Sequence, residues 1–587
     1  MVPCDHFSFG PQVCGSLDAT GGAGREWLVT DGLGGFATGT AGGLRTRRQH
    51  TLLTVSDQLA LTALDLTVTL ASGTRIPLYS HQWASGTVDP CGHHLLESFT
   101  LDGGLPRWRW RIGDVVVERE LALHHGHPSL AVVHRVVSAP APVGLSVAVM
   151  LDRPAEATPV AGGTVLGGVC RLLGPGWQTA GVAHLSAYTR EDAAGADLWL
   201  AGSFTRQVAA GDTLEISAWS GLLGQRPPAA SVVTAAERER AHRLITTAKS
   251  EGYAAQLTIA ADRFVVCTPE GPGVLPGYPW DDGSRHEVLP AYEGLFLATG
   301  RADEGRELLI AAAAAPDDPL WLVHAVDRHV TRTGDTDLAA RLVAPLGRHL
   351  RQLLDGSGPV TLDPADGLLR HDPPAGGLLP ARVGKPVELN ALWVNALAAM
   401  ADLLTEAGRD DREPRGLHAR ARTAFLARFP APEGWLYDVV EGPATTYPLG
   451  AGAHHDDPSL RPHQLLAWSL PHAPMRGQPG HRLRGPGEAL LTPLGLRTLA
   501  PTEYGYQSGH PEQGAVRPWW IGPYADACAA TGHPVEGLLT GLRAHLAESG
   551  VGSVGEAADG EPPHRATGRP FSALAVAEML RTERGHG

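Results

Sequence analysis

The sequence predicts two kinds of domain in one chain, an antiparallel β-sandwich followed by a closed array of helices. Three observations carry that prediction. Between residues 26 and about 225, apolar residues alternate in short runs cut by Gly, Pro and Asp, the pattern of half-buried strands. From Ala255 onward the apolar period becomes that of a helix. After Val387 that period holds for four turns, at Leu389, Leu392/Trp393, Ala396/Leu397, Met400 and Leu403/Leu404, and Gly408 stops it. A chain of 587 residues is long enough for two domains or more, each with its own core. The expected division is 1–225 for the sandwich, 226–250 for a bridging helix and 251–587 for the helical domain.

In the first part, Val115, Val117, Leu121 and Leu123 fall on one side of a strand, with Glu118 and Glu120 on the other. The runs 130–137, 143–151 and 198–204 read the same way, and frequent turn signals favour a sandwich. The cluster His124-His125-Gly126-His127 has no supporting ligand at metal spacing and reads as a polar hairpin end. Pro227-Pro228 followed by a Glu- and Arg-rich run to Thr247 gives the bridging helix. Helices are then expected over 302–315, 320–332, 338–354, 387–407, 416–429, 463–470, 487–499, 517–530, 534–548 and 570–581. That many helices with Gly- and Pro-rich connections suit a closed array better than a four-helix bundle, and sites tend to lie on the loops between them.

Composition narrows the functions. Net charge is −14, with no basic block and no aromatic-basic interleaving, which argues against nucleic acid and anionic membrane surfaces. Hydrophobic content of 43% is ordinary for a globular protein, and no run is read as a membrane span. Neutral sugars suit the mild acidity, and Trp (14) outnumbering Tyr and Phe (10 each) gives weak support, since indoles stack on sugar rings. The six cysteines are too sparse for a disulfide scaffold and form no close metal or redox pair. Residues 1–20 carry no apolar run after a basic start, so a cytoplasmic protein is expected; no cofactor or metal is expected either.

The loop entering the four-turn helix is Gly384-Lys385-Pro386-Val387-Glu388. The chain has only two lysines, Lys249 and Lys385, so one has been kept here where arginine is the usual cation. An ammonium is a compact point donor, a guanidinium a planar fork, and a site can need the difference. Glu388 suits the first turn of a helix by its charge alone.

Near the start, Arg25-Glu26-Trp27-Leu28 leads through Asp31-Gly32-Leu33-Gly34-Gly35-Phe36 to Arg45-Thr46-Arg47-Arg48. The glycines suit tight turns, and no Gly-Lys-Ser/Thr follows to make a phosphate loop. This run resembles the opening of the bacterial and archaeal glycogen debranching enzymes of the amylo-α-1,6-glucosidase type. The resemblance continues in order through Tyr278-Pro279-Trp280, 295–301, Pro319-Leu320-Trp321, 384–393, 436–440, Leu460-Arg461-Pro462-His463-Gln464, Gln513-Gly514-Ala515-Val516 with Pro518-Trp519, Gly555-Glu556 and Pro563-His564. It implies a β-sandwich followed by an (α/α)6 barrel similar to that of glucoamylases, acting on an α-glucan or oligosaccharide.

Hydrolysis with inversion needs a protonated carboxyl on the leaving oxygen and a carboxylate holding water, roughly 6.5–9.5 Å apart. The resemblance makes Glu556 the general base and gives Trp280, Arg285, Glu287, Trp321, Lys385, Asp438, Arg461, Gln513, Trp519 and His564 contacts to sugar. The acid stays open between Asp372 and Glu388, with Asp366 a weaker choice, because the family's Trp-Met-Asp segment before Gly384 has no counterpart here. Other departures are His286 in the place of an arginine, with Arg285 beside it, Glu287 for an aspartate, Glu512 for a histidine, Arg517 for a tryptophan, and Ser572 and Leu574 for a glutamine and a tryptophan. Two readings follow: a glycosidase releasing terminal α-1,6-linked glucose or a related sugar, or a catalytically weak glucan-binding relative.

Overall fold

The computed structural model describes the chain except residues 1–6, 57, 191, 193, 281–286, 316–317, 357, 373–381, 443–454 and 587. It divides into two compact units. The first holds residues 1–269, 277–281 and 544–554, the second 270–276, 282–543 and 555–587.

In the first unit the ordered chain includes β1 (Glu26–Thr30), β2 (Phe36–Thr40), β3 (Ala63–Thr69), β4 (Leu96–Asp102), β5 (Leu105–Ile112), β6 (Val115–Leu123), β7 (Ser129–Ser138), β8 (Val143–Leu151), β9 (Leu198–Val208) and β10 (Thr213–Ser220). A nine-stranded antiparallel sheet runs β4-β5-β6-β7-β10 through its middle, and a five-stranded sheet has β9-β8-β3 at its centre. Inward residues of both, among them Val117, Leu121, Val132, Leu145, Val147 and Phe204, form one apolar cluster, the arrangement of a sandwich. On the other side of β6, Glu118 pairs with Arg109 across the ladder at 3.2 Å. Arg119 shares the inward side with Val117 and Leu121. Its guanidinium is satisfied there by the Leu64 carbonyl and by His134 Nε2 at 3.0 Å.

The helix expected as a bridge exists as α1 (Ala230–Ala248), and it packs on β6, β7 and β10 of the first unit. Arg238 on α1 pairs with Glu120. The next helix, α2 (Gly252–Asp262), also belongs to this unit, where Arg240 and Asp262 pair at 2.6 Å. Residues 544–554 return to it: Glu26 N–H donates to the Ser549 carbonyl at 2.7 Å and Val551 N–H to the Glu26 carbonyl at 2.8 Å.

The early glycine-rich run is a turn. Asp31 Oδ1 accepts from Leu33 N–H at 2.7 Å and Gly35 N–H at 2.8 Å, and Gly34 has φ of 95°, a conformation costly for any side chain. Glu26 is buried between Arg47 Nε at 3.0 Å and His50 Nε2 at 2.8 Å. The Glu-Trp-Leu and Thr-Arg-Arg runs are thereby joined by one ion pair inside the unit.

The second unit is helical. After the π-helical turn Glu293–Leu297 come α3 (Ala302–Ala312), α4 (Pro319–Thr333), α5 (Thr336–Leu354), α6 (Val387–Glu406), α7 (Arg412–Arg428), α8 (Leu466–Ser469), α9 (Ile521–Thr531) and α10 (Ala573–His586). Asp318 caps α4 by accepting from Leu320 and Trp321 N–H, and Asp335 caps α5. The π-helical turn packs on α4, α4 on α6, α6 on α8, α8 on α9, α9 on α10, and α10 on the turn again. These six segments close a ring. Helices α3, α5 and α7 pack on ring members from neighbouring positions in the chain. The α6 helix is long and apolar enough by composition to cross a membrane, unlike the sequence reading, yet most of it is buried in this unit's core.

The helix expected over 487–499 is absent. Instead Arg484–Ala489 is a short helix, and a five-stranded sheet includes β11 (Gly495–Arg497), β12 (Val516–Arg517), β13 (Ala557–Ala558) and β14 (Ala566–Thr567). Thr492-Pro493 and Gly495 break the helix, and pairing of Leu496 with Arg517 takes up the backbone groups.

Candidate active site

The small sheet of the second unit positions the predicted base. β12 and β13 are neighbours through Val516 and Ala558, which sets Arg517 beside Glu556. Arg517 Nη1 lies 2.8 Å from Glu556 Oε1, while Oε2 accepts from Arg569 Nε at 3.0 Å and from Arg569 N–H at 3.1 Å. Burial pushes the Glu556 carboxyl up, but the hydrogen bonds and charges of the two arginines outweigh it and hold the group below the usual carboxylate range. Arg569 is buried and reaches Glu287 Oε2 at 3.4 Å with Nη2. Glu287, Arg517, Glu556 and Arg569 are one cluster.

A second network starts at the α6 N-terminus. Glu388 Oε1 is held by Arg382 Nη1, and Arg382 Nη2 reaches Asp438 Oδ1 at 2.6 Å. Asp438 is buried and also faces Arg461 Nε at 3.5 Å and His463 Nδ1 at 3.4 Å. Burial raises its proton affinity, but Arg382, His463 and Arg461 together drive it well below the ordinary range. Arg461 extends the network to Gln513 Oε1 at 3.3 Å and to the Thr498 and Glu512 carbonyls at 3.1 and 2.5 Å. Glu388, Asp438, Arg461 and Gln513 are thus brought together, and Glu388 Oε2 is buried without a hydrogen-bond partner among the described residues. Nearby, burial and the charge of Asp438 raise the proton affinity of Asp457, whose carboxylate accepts from Ser459.

Lys385 is 1% exposed, and its Nζ stands 2.8 Å from each of Asp363, Asp366 and Glu441. Burial pulls the ammonium down, but these three hydrogen bonds outweigh it and raise its pKa. All three donors are engaged, so a carboxylate must leave before Lys385 meets a sugar. The surrounding loop is rigidly built. Lys385 and Pro386 pair with Val440 and Val439, and Gly384 has φ of 116° with no room for a Cβ, which would stand 2.9 Å from the Val440 carbonyl. Asn390 clamps Leu369 at both backbone groups, and the Trp393 indole donates to the Gly367 carbonyl at 3.1 Å.

The remaining predicted residues are dispersed. Asp372 is 51% exposed and paired with Arg370 at 2.8 Å. His564 lies on the loop between β13 and β14, its Nδ1 2.9 Å from the Asp559 carbonyl. Trp280 belongs to the first unit, with the Arg47 guanidinium 5.4 Å from its ring centre. Arg285 lies outside the described residues. Trp321 and Trp519 line one cavity of about 460 Å³ within the second unit, shared with His324, Arg328, Trp468 and Glu578. Ion pairs Arg328–Glu293 and Arg581–Glu578, each 2.7 Å, cross its wall, and burial lowers the His324 pKa to about 3. Sequence reasoning missed Arg382, Asp457 and Arg569. The adjacent acids Asp456-Asp457 just before Arg461 were the visible signal for one of them.

The helical ring thus carries two clusters in which arginines hold carboxylates, Glu556 with Arg517 and Arg569, and Glu388 and Asp438 with Arg382. Two family models match in order, "Glycogen debranching enzyme N terminal" over residues 25–164 and "Amylo-alpha-1,6-glucosidase" over residues 311–581. The chain belongs to this glycogen-debranching-enzyme type of glycoside hydrolase family. No curated protein matches it in sequence. Among solved structures it is similar to a bacterial glucoamylase complexed with acarbose, at 11% identity and a TM-score of 0.55 over 95% of this chain and 91% of that one. That likeness is one of fold. A mannosylglycerate hydrolase from Thermus thermophilus, solved with Tris and D-glycerate, is also similar, at 14% identity and a TM-score of 0.42 over 56% of this chain and 100% of that one.

Proposed function

We propose that the helical ring is an (α/α)6 barrel whose loops hydrolyse terminal α-1,6-linked glucose, or a related sugar, from an α-glucan with inversion. One observation carries the reading: Glu556 is kept ionised by Arg517 and Arg569 inside the segment that matches the glucosidase family. An ionised carboxylate is what a general base must be, and release of Arg517 on substrate binding would free Oε1 for the attacking water. Glu388 is the favoured acid over Asp372. Its Oε2 is buried without a hydrogen-bond partner among the described residues, so that with Arg382 displaced from Oε1 the group can carry a proton, whereas Asp372 is exposed. Trp321 and Trp519 offer stacking surfaces, and the reaction needs no cofactor. We place the protein in the cytoplasm.

A second reading, a glucan-binding relative with little catalysis, is favoured by the same cluster, since both Glu556 oxygens are occupied by arginines. Glucose release from a phosphorylase-limit dextrin, native against Glu556→Gln, separates the two. Release that falls by about 10²-fold or more in the variant supports the hydrolase. No release from the native protein, with measurable glucan binding, supports the second reading. Absence of both removes the α-glucan assignment.

A further inference from the structure

The first unit carries a cluster that the sugar chemistry does not use. Ser80–Gln82 and Val88–Cys91 form a hairpin in which Ser80 faces Cys91, and a 3₁₀ turn, Gly92–Leu95, follows directly. This turn is fixed in place. Gly92 N–H donates to the Tyr79 carbonyl at 3.0 Å, and a Cβ on Gly92 would stand 2.4 Å from backbone atoms of Leu78 and Tyr79. It brings one ligand atom from each of Cys91, His93 and His94 within 4.8 Å of one another, the one group of this kind found among the described residues.

We propose that Cys91, His93 and His94 bind a borderline-soft divalent transition metal, Zn²⁺ by preference. The donor set is one sulfur and two imidazoles, which suits zinc and excludes the oxygen-seeking calcium and magnesium. His93 is the fixed ligand. It is buried, and its Nδ1 lies 2.9 Å from Ser80 Oγ, which also accepts from the His93 N–H at 3.1 Å. Nδ1 is therefore occupied and Nε2 is the nitrogen left for metal, the outer-partner arrangement common at histidine ligands. Cys91 and His94 are exposed and swing onto it. Tetrahedral zinc needs ligand atoms about 3.5 Å apart, a closure of about 1 Å that exposed side chains make by χ rotation. Three protein ligands leave a fourth position for water. Binding displaces the Cys91 thiol proton. The ligands run Cys-x-His-His, a spacing without the close cysteine pair that marks most zinc sites in a sequence.

The test is a Co²⁺ titration of the reduced full-length protein, followed by Zn²⁺ displacement. The expected result is one Co²⁺ per chain, a thiolate-to-cobalt charge-transfer band and tetrahedral d–d bands, all lost when Zn²⁺ is added. Cys91→Ser should abolish the charge-transfer band with the melting temperature in the absence of metal unchanged, and Ser80→Ala should weaken binding about tenfold or more. Cys267→Ser, which removes another exposed thiol, should leave the band intact. No band in the native protein, a band that survives Cys91→Ser, or saturation only at millimolar metal would overturn the proposal.

Discussion

Replacing Lys385 separates a structural cation from a sugar ligand. The perturbation is Lys385→Met, which keeps the stem and deletes the charge. Three carboxylates, each 2.8 Å from Nζ and 22–33% exposed, then face one another without a counter-ion. Breaking a buried pair from one side costs about 3–5 kcal/mol. Because water reaches these carboxylates in part, about 3 kcal/mol is the appropriate figure. The second unit holds roughly 300 residues, whose unfolding entropy is about 0.6 kcal/mol per kelvin, so the loss corresponds to about 5 °C. Lys385→Arg should also lose several degrees, since a planar fork cannot occupy the single point on which three carboxylates converge. Differential scanning calorimetry at neutral pH, at low and high salt, reads the shift, and most of the deficit should persist in salt because Lys385 itself is buried. A Lys385→Met protein melting within about 1 °C of native would refute the reasoning and return Lys385 to the sugar-binding role.

The same cluster sets a pH window. Hydrogen bonding to Lys385 depresses the Asp363 pKa, so its contribution is present above the unfolded value of about 3.9 and fades as pH falls through the folded one. The raised Lys385 pKa adds stability that is present below about 10.4 and lost as pH rises through its folded value. Denaturation midpoints measured against pH should show both losses in the native protein and neither in Lys385→Met. Arg517→Ala removes a donor and a charge that lower the Glu556 proton affinity, so the acid limb of kcat/KM should move to higher pH; an unmoved limb means that Arg517 does not hold the group in the free enzyme. Asp438→Asn leaves Arg382 and Arg461 facing a neutral amide and should cost about 3–5 kcal/mol in urea unfolding, with an unchanged midpoint counting against the network.

Periodic patterns carried most of the fold. The strand over 115–123 and the helices beginning near 320, 338 and 387 follow from alternation and from 3.6-residue spacing, since each buries one side or stripe. Arg119 defied the pattern: it points inward, and only its partners, Leu64 and His134 from other strands, make that tolerable. The segment 487–499 defied it too, because pairing with Arg517 outweighed a weak local preference. At the candidate site, the residues in motifs were visible and their partners were not. Arg382 joins Glu388 to Asp438, which lies 56 residues after the arginine, and Arg569 joins Glu556 to Glu287, which lies 282 residues before the arginine. Contacts of that range leave no periodic trace in a single chain.

The return of residues 544–554 to Glu26 gives the chain a timetable. Val551, with no exposed surface, completes the apolar cluster of a unit whose other parts end at residue 281. On a ribosome adding about 5–20 residues per second, that last piece emerges tens of seconds after the rest. Until then the backbone of Glu26 lacks its partners at residues 549 and 551. Cutting the gene at the apparent end of the β-rich half would make that lack permanent.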